Sequence, residues 1–323
     1  MKTADFDYAL PPELIAQEPL PDRAASRLLV LDRATDRIIH AAFRDLGRYL
    51  APGDLLVLND TKVIPARIWS VKPVVELLLV EDLGQQRWTA LVKPGRRARP
   101  GMRLEFAPWL WATVESETAT GERILRFAGD VESYLREHGV APLPPYIKRP
   151  AARDELARYQ TVFARAAGAI AAPTAGLHFT PAMLAQLPHT FITLHVGIGT
   201  FRPVKTDDIE DHRMHAERFE VSPAAAAAMQ AAARIVAVGT TVVRALETLG
   251  APRAGAGQTD LFIRPGFEFR VVGALLTNFH LPRSTLLMLV SAFAGCERIR
   301  RAYAEAIRER YRFFSYGDCM LIR

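Results

Sequence analysis

Histidine is the side chain that handles protons near neutral pH. Three of the chain's eight histidines, His178, His195 and His280, stand where apolar strand-like runs give way to the starts of helices. The segment "GAIAAPTAGLHFTPAML" offers Thr174 and His178 before Thr180 caps a helix at Pro181. "FITLHVGIGTFRPV" ends a strand with His195, Gly197 and Gly199. "IVAVGTTVVRALETL" ends a strand at Gly239, and Thr240 and Thr241 open a helix bearing Arg244 and Glu247. "ALLTNFHLPRSTLLML" sets Asn278, Phe279 and His280 at a strand end and Arg283, Ser284 and Thr285 at the next helix start. In open α/β sheets ligands bind beyond the carboxyl ends of strands, and helix starts attract carboxylate or phosphate. Taken singly, each loop is ordinary capping and turn chemistry. Three histidines at such junctions together predict a ligand site with proton transfer, without saying which histidine is acid and which is base.

Other chemistries are weaker. His212 and His215 lie three apart beside Asp211 and Glu217, but no HExxH pattern or cysteine ligand set accompanies them, so no metal is expected. "TLHVGIGTF" imitates a methyltransferase glycine motif without its third glycine or a following acidic strand end. Two cysteines, Cys296 and Cys319, exclude a disulfide framework and fit a reducing cytoplasm. Cations collect elsewhere: Lys93, Arg96, Arg97 and Arg99 in "LVKPGRRARPG", and Lys148 and Arg149 in "YIKRP". Such a turn suits a phosphate backbone, and equally suits plain solvation.

The elements that must position these residues fall into two textures. Half of the 323 residues are hydrophobic, enough for a sizeable core, and Lys+Arg exceed Asp+Glu by 41 − 35 = 6. "RLLVLDR" and "DLLVLNDTKVIPAR" read as strands, and after about residue 148 strands and helices alternate, the mark of a mostly parallel α/β sheet. From Arg67 onward, short alternating stretches separated by Gly, Pro and charge read as antiparallel strands. The expected architecture is a three-layer α/β sandwich built from residues 1–66 and 149–323, with a small antiparallel β-barrel inserted over 67–148. "SPAAAAAMQAAA" predicts a helix capped by Ser222, and "LLMLVSAFAG" a buried one ended by Gly295. The connection at Ala233–Arg234 has no Gly, Asn or Pro, and the one near Val71–Val75 is similarly abrupt, which suggests that a few loop residues are absent there. The start of the chain has no apolar signal core, and the longest apolar run, Leu286–Ala294, is too short to span a bilayer.

These segments, with "LPPELIAQEPLPDRAASRLLVLDR", "RYQTVFA", "MHAE" and "YRFFSYGDCMLI", resemble over almost the whole chain the S-adenosylmethionine:tRNA ribosyltransferase-isomerases of queuosine biosynthesis. The resemblance implies transfer and isomerisation of the ribosyl part of S-adenosylmethionine onto a 7-aminomethyl-7-deazaguanine wobble base of tRNA. The product is epoxyqueuosine, with adenine and methionine released. It implies that S-adenosylmethionine is consumed as a substrate with no metal or other cofactor; the cysteine usage and the short apolar runs add the expectation of a cytoplasmic enzyme with no membrane partner, and a monomer is expected. The residues expected in catalysis are His280, His178 and His195. Those expected at the donor are Thr174, Phe179, Thr240, Thr241, Arg244, Glu247, Phe279, Arg283, Ser284 and Thr285, with Phe179 or Phe279 offering an aromatic face to the sulfonium. Lys93, Arg96, Arg97, Arg99, Lys148 and Arg149 are expected at tRNA. The competing readings are a non-catalytic RNA-binding protein and an S-adenosylmethionine methyltransferase.

Overall fold

The structure is a computed structural model that describes residues 1–152, 154–197, 204 and 206–323. Runs of Leu, Val, Ile and Ala form β1 (Arg27–Asp32), β2 (Arg37–Ala42) and β3 (Asp54–Asn59), followed by the short β4 (Thr61–Val63). The antiparallel texture of the middle segment becomes β5 (Arg67–Val71), β6 (Val74–Gly84), β7 (Arg87–Lys93), β8 (Arg103–Ala107), β9 (Leu110–Glu117) and β10 (Arg123–Ala128). The remainder gives β11 (Ala166–Ala169), β12 (His189–Leu194), β13 (Glu217–Val221), β14 (Arg234–Val238), β15 (Gly255–Thr259), β16 (Ala274–Asn278) and β17 (Cys319–Ile322).

Nine of these strands make one sheet in the order β15-β13-β12-β3-β14-β16-β17-β1-β2. Its four-strand centre, β12-β3-β14-β16, is parallel throughout. The flanks are not: β17 runs antiparallel to β16, β2 to β1, and β13 to both β12 and β15. The sheet is therefore mixed rather than mostly parallel. Strand direction is set by how connections cross the sheet, and apolar runs such as "CMLI" carry no mark of it.

Both faces of this sheet are covered, as a three-layer arrangement requires. Alternation sends Leu29, Leu31, Leu55, Val57, Ile235, Ala237 and Leu275 into one apolar cluster, and Leu28, Val30, Leu56, Leu58, Val236, Val238 and Leu276 into another. The first cluster is capped by α4 (Pro223–Ala231), α5 (Thr240–Leu249), α6 (Thr285–Ala294) and α7 (Cys296–Arg308), the second by short helical segments that bring in Phe43, Phe179 and Leu184. Three shorter helices, α1 (Val131–His138), α2 (Glu155–Arg158) and α3 (Pro181–Leu184), precede these in the chain. Ser222 caps α4 by accepting from the Ala225 amide at 3.2 Å, and Gly295 ends α6.

The six strands β5-β6-β7-β10-β9-β8 form a second sheet, and a two-way backbone pairing of Lys72 with Glu105 draws its outer strands together into a nearly closed barrel. Its interior holds Ile68, Val75, Leu77, Leu79, Leu104, Val114 and Leu125, with α1 supplying Val131 and Leu135. The chain enters and leaves the barrel side by side, since Arg67 and Val140 exchange backbone hydrogen bonds. The abrupt connections close without a turn glycine. Lys72 and Pro73 join β5 to β6, and Ala232 and Ala233 join α4 to β14, with the Ala233 amide tied to the Gly53 carbonyl at 2.9 Å.

Candidate active site

The carboxyl ends of the parallel strands meet at one edge of the sheet. β14 ends into Gly239, whose φ of +96° suits glycine, and α5 begins at once with Thr240 and no capping side chain. β16 ends at Asn278, and the turn through His280 reaches Ser284, which caps α6 by accepting from the Leu287 amide at 3.2 Å. With Thr174 from the loop above, these residues line a cleft of about 70 Å³. Thr240, Thr241, Asn278, His280 and Ser284 are all in its wall. So are two aromatic residues that the sequence did not single out: Tyr146 and Phe314, whose ring centroids lie 4.9 Å apart. Ser315 completes that side, with its hydroxyl against the Tyr146 hydroxyl at 2.5 Å. A positive helix end opposite an aromatic pair suits a molecule carrying an anion at one end and a cation nearby.

The three histidines do not converge. His280 is in the cleft wall: Nε2 pairs with Thr277 Oγ1 at 2.9 Å, its backbone amide donates to the Tyr303 hydroxyl at 2.9 Å, and Nδ1 has no partner among the described residues. His178 lies behind Asn278, with both ring nitrogens engaged. The Asn278 amide donates to the Phe314 carbonyl at 3.2 Å, so the same amide donates to His178 Nε2 at 3.2 Å, and Nδ1–H faces Ser26 Oγ at 2.9 Å. That leaves Asn278 Oδ1 buried without a partner. His195 follows β12 and pairs through Nδ1 with Thr61 Oγ1 at 2.8 Å. Beside it, buried Asp60 accepts from Arg165 at 2.7 Å and from the Thr193 hydroxyl at 2.6 Å. His195 opens onto a second, larger cavity of about 960 Å³ between the sheet edge and the barrel, walled also by Lys62, Glu81, Trp88, Glu122 and Glu217. Val196 is common to both cavities. Gly199, expected at the same loop, lies outside the described residues.

Burial holds His178 and His280 at a pKa of about 3, and the charges of Arg23, Arg158 and Arg312 push His178 further in the same direction. Burial likewise lowers His195, with Arg218 adding to it and Asp60 opposing it. At neutral pH these rings are neutral. A histidine with a depressed folded pKa binds its proton more readily when unfolded. Its contribution to stability is present above pH 6.5 and is lost as pH falls from 6.5 toward 3. Each of the two buried rings should then cost about 1.4 kcal/mol per pH unit through that window. Denaturant unfolding measured from pH 7 to pH 4.5 should show this fall, and His178→Asn should make it shallower. A stability curve flat across that range would contradict it.

Several residues expected at the donor lie elsewhere. Arg244 is 3 % exposed and does not reach the cleft. It points from α5 toward the far side of β13, where it pairs with buried Glu217 and donates to the carbonyls of Leu261 and Thr259, each at 3.1 Å. Glu217 in turn accepts from the Gly197 amide at 2.8 Å, so the pair braces the loop that carries His195. Glu247 accepts from the amides of Arg270, Val271 and Val272 at 2.9 to 3.1 Å and ties down the segment before β16. Phe179 packs edge-on against Phe43 in the core. Phe279 is in the cleft wall, but it is fully buried and its ring packs against Tyr303, Tyr311 and Phe313. Arg283 is on the outside, paired with Asp7 at 2.5 Å, and Thr285 is buried in the first turn of α6 outside the cleft wall. Sequence marks an Arg or Glu on a helix but not whether a distant partner waits inside the fold.

The full length of the chain has known counterparts. The sequence profile of a family described as queuosine biosynthesis protein matches residues 3–322. An S-adenosylmethionine:tRNA ribosyltransferase-isomerase from Heliobacterium modesticaldum is 51 % identical, with all of both chains covered. One from Anaeromyxobacter sp. is 54 % identical over all of this chain and 99 % of the other. The chain belongs to the queuosine biosynthesis family. The crystal structure of an S-adenosylmethionine tRNA ribosyltransferase from Thermotoga maritima shares the fold at a TM-score of 0.56 and 41 % identity, covering 99 % of this chain and 100 % of that one.

Family membership puts two features in a new light. The alignment with the Heliobacterium protein runs over 343 positions against 323 residues here, so at least 343 − 323 = 20 positions of it are gaps in this chain. Abrupt connections such as Lys72–Pro73 and Ala232–Ala233 are what so shortened a family member would show. Second, the family handles a polyanion, and the cations expected to meet it divide. Lys93 ends β7 and Arg96, Arg97 and Arg99 are on the turn after it, all four exposed, and Lys148 is exposed as well. Arg149 is committed to Glu155 through two hydrogen bonds of 2.6 and 2.9 Å. Glu76 pairs with Lys93, and Val80 lines the large cavity, so this turn lies four residues along β6 from that cavity, roughly 14 Å at about 3.4 Å per residue. Replacing both Arg96 and Arg97 by Ala should weaken tRNA binding and lower the slope of log Kd against log salt by up to about 0.9 per lost phosphate contact. Fluorescence titration of tRNA at several salt concentrations reads this directly, and an unchanged slope would remove the turn from the interface.

Proposed function

We propose that the protein transfers and isomerises the ribosyl group of S-adenosylmethionine onto the aminomethyl nitrogen of a 7-aminomethyl-7-deazaguanine wobble base in tRNA. The observation that carries this reading is the pair of cavities meeting at Val196. The smaller one offers the α5 amino end and the Tyr146–Phe314 pair, which suit the methionyl carboxylate and the sulfonium of the donor. At about 70 Å³ it is below the roughly 300 Å³ of an ordinary small-molecule site, so the rest of the donor extends past Val196 into the larger cavity. There it meets the base, between the sheet edge and the barrel.

The reaction asks for three proton movements. A proton leaves the carbon beside the sulfonium, the departing adenine gains one, and the attacking amine gives one up. A neutral imidazole is the right form to receive the first, and His280 lines the cleft with Thr277 fixing its ring through Nε2 and Nδ1 left without a partner among the described residues. His195, at the end of β12, lines the cavity assigned to the base. The methyl group stays on sulfur throughout, so S-adenosylhomocysteine is not formed. Incubation with S-adenosylmethionine and tRNA bearing the modified base should release adenine and methionine in equal amounts. Formation of S-adenosylhomocysteine would instead make the protein a methyltransferase. Tight tRNA binding with no turnover would make it an RNA-binding protein only.

A further inference from the structure

Behind the cleft, on the other side of Ser315, lies a small recess of about 20 Å³ lined by Arg23, Arg158, Ser26, His178, Ser315 and Gly317. Its cations lack ion-pair partners. The Arg23 guanidinium donates only to the carbonyls of Leu177 at 3.1 Å, Ala157 at 3.3 Å and, at the limit of range, Arg158. Arg158 makes a single hydrogen bond, to the Leu20 carbonyl. Arg312, close enough for its charge to act on His178, donates to the Glu18 carbonyl and keeps Nη1 buried with no partner. Among the described residues none of the three forms an ion pair. The nearby carboxylates are taken. Asp22 pairs with Arg44 at 3.3 Å, and Glu155 with Arg149 at 2.6 Å. Asp318 is spent on the backbone amides of Arg27 and Arg312, each at 2.8 Å.

Burial lowers the Arg23 pKa to about 10, with the Arg158 charge adding to it, and burial also lowers Arg158 although the charges of Asp22 and Glu155 oppose it without pairing with it. A fold holds such a cluster at a cost unless something negative completes it. The recess has room for about one water-sized group, which matches the terminal oxygens of an anion held by guanidinium forks. The turn that shapes it allows no bulk, because a Cβ on Gly317 would come within 2.4 Å of the Arg312 carbonyl oxygen.

We propose that Arg23 and Arg158, backed by Arg312, form an oxyanion site that completes the substrate-binding surface behind Ser315. Its ligand is either a phosphate of the tRNA arriving from outside or, in place of the α5 amino end assigned above, the carboxylate of the donor's amino-acid end reaching past Ser315 from the cleft. The choice between these sources rests on the function proposed above; the existence of the site does not. Inorganic phosphate is the probe. Titrated at constant ionic strength, it should raise the melting temperature of the unaltered protein along a saturable curve, and Arg158→Gln should abolish that rise. Arg158→Lys, which keeps the charge and loses the fork, serves as the folding control. If the donor supplies the anion, Arg158→Gln should raise KM for S-adenosylmethionine on the order of tenfold with the salt slope of tRNA binding unchanged. If tRNA supplies it, that slope should fall by about 0.9 with KM unchanged. The proposal is overturned if phosphate gives no saturable shift, if Arg158→Gln responds as the unaltered protein does, or if neither KM nor slope moves. The phosphate titration needs no turnover, so its failure is separate from a failure to release adenine.

Discussion

His280→Gln should lower kcat for adenine release by about a hundred- to ten-thousand-fold, the range of a lost general acid or base. The substitution is chosen because a glutamine amide can still meet Thr277 Oγ1, now 2.9 Å from Nε2, so the wall of the cleft survives while the imidazole goes. His280 is the one histidine of the three with a ring in the cleft wall and a nitrogen left over. His178, also expected in catalysis, has both of its nitrogens occupied by Asn278 and Ser26. Donor affinity measured by calorimetry should change little, because the groups assigned to the carboxylate and sulfonium are elsewhere in the wall. Since burial keeps the His280 pKa near 3, its loss should not remove an acid limb at pH 6 to 7 from the kcat/KM profile of the free enzyme. If His280→Gln turns over within a few-fold of the unaltered protein, the proton-transfer role passes to His195, which lines the larger cavity.

Arg244→Ala should destabilise the protein by about 3–5 kcal/mol, because it strands the Glu217 carboxylate inside the fold. Both side chains of the pair are about 95 % buried, so solvent does little to screen the loss. The double variant Arg244→Ala with Glu217→Gln should recover much of the stability, since removing both charges leaves no ion uncompensated. Urea unfolding of the four members of this cycle gives the coupling directly. A single-variant loss below about 1 kcal/mol would show that the pair is dispensable. Any rise in KM for S-adenosylmethionine in Arg244→Ala should follow the disturbance of the Gly197 loop held by Glu217. It should be absent from the double variant if the side-chain amide oxygen introduced at position 217 still accepts from Gly197.

How much of this was legible in the residues depends on the range of the interaction. The loops after β12, β14 and β16 were readable because each is local: an apolar run, then Gly or His, then a capping hydroxyl, as in Gly239–Thr240 and His280–Ser284. Parallel pairing then places their ends at one edge, and the cleft follows. Tyr146, Phe314 and Ser315 were missed because they lie in irregular segments whose composition has no period, and only the fold brings residue 146 beside residue 314. That Arg244 and Glu247 lie away from the cleft was illegible for the opposite reason. Their positions on α5 were right, but a charged residue on an amphipathic helix looks the same whether it meets a ligand, as expected, or a carboxylate from β13 or the amides before β16. Asn278 stood in the quoted segment, yet nothing local distinguishes its amide from a turn residue until His178 and Phe314 are seen to orient it.

The register of the sheet bears on how the protein is made. Leu28 pairs with Cys319 and Leu31 with Ile322, so β1 gains its inner neighbour only when the chain has been synthesised to residue 322. β17 separates β1 from β16, and the large sheet has a gap at that place until β17 arrives. The barrel strands, between residues 67 and 128, pair chiefly with neighbours in sequence and can be complete much earlier. During translation the barrel should therefore be protease-resistant while β1 and β2 still expose apolar strand edges to chaperones. Ribosome-bound chains stalled before residue 319 should give a protected fragment spanning the barrel and none spanning β1.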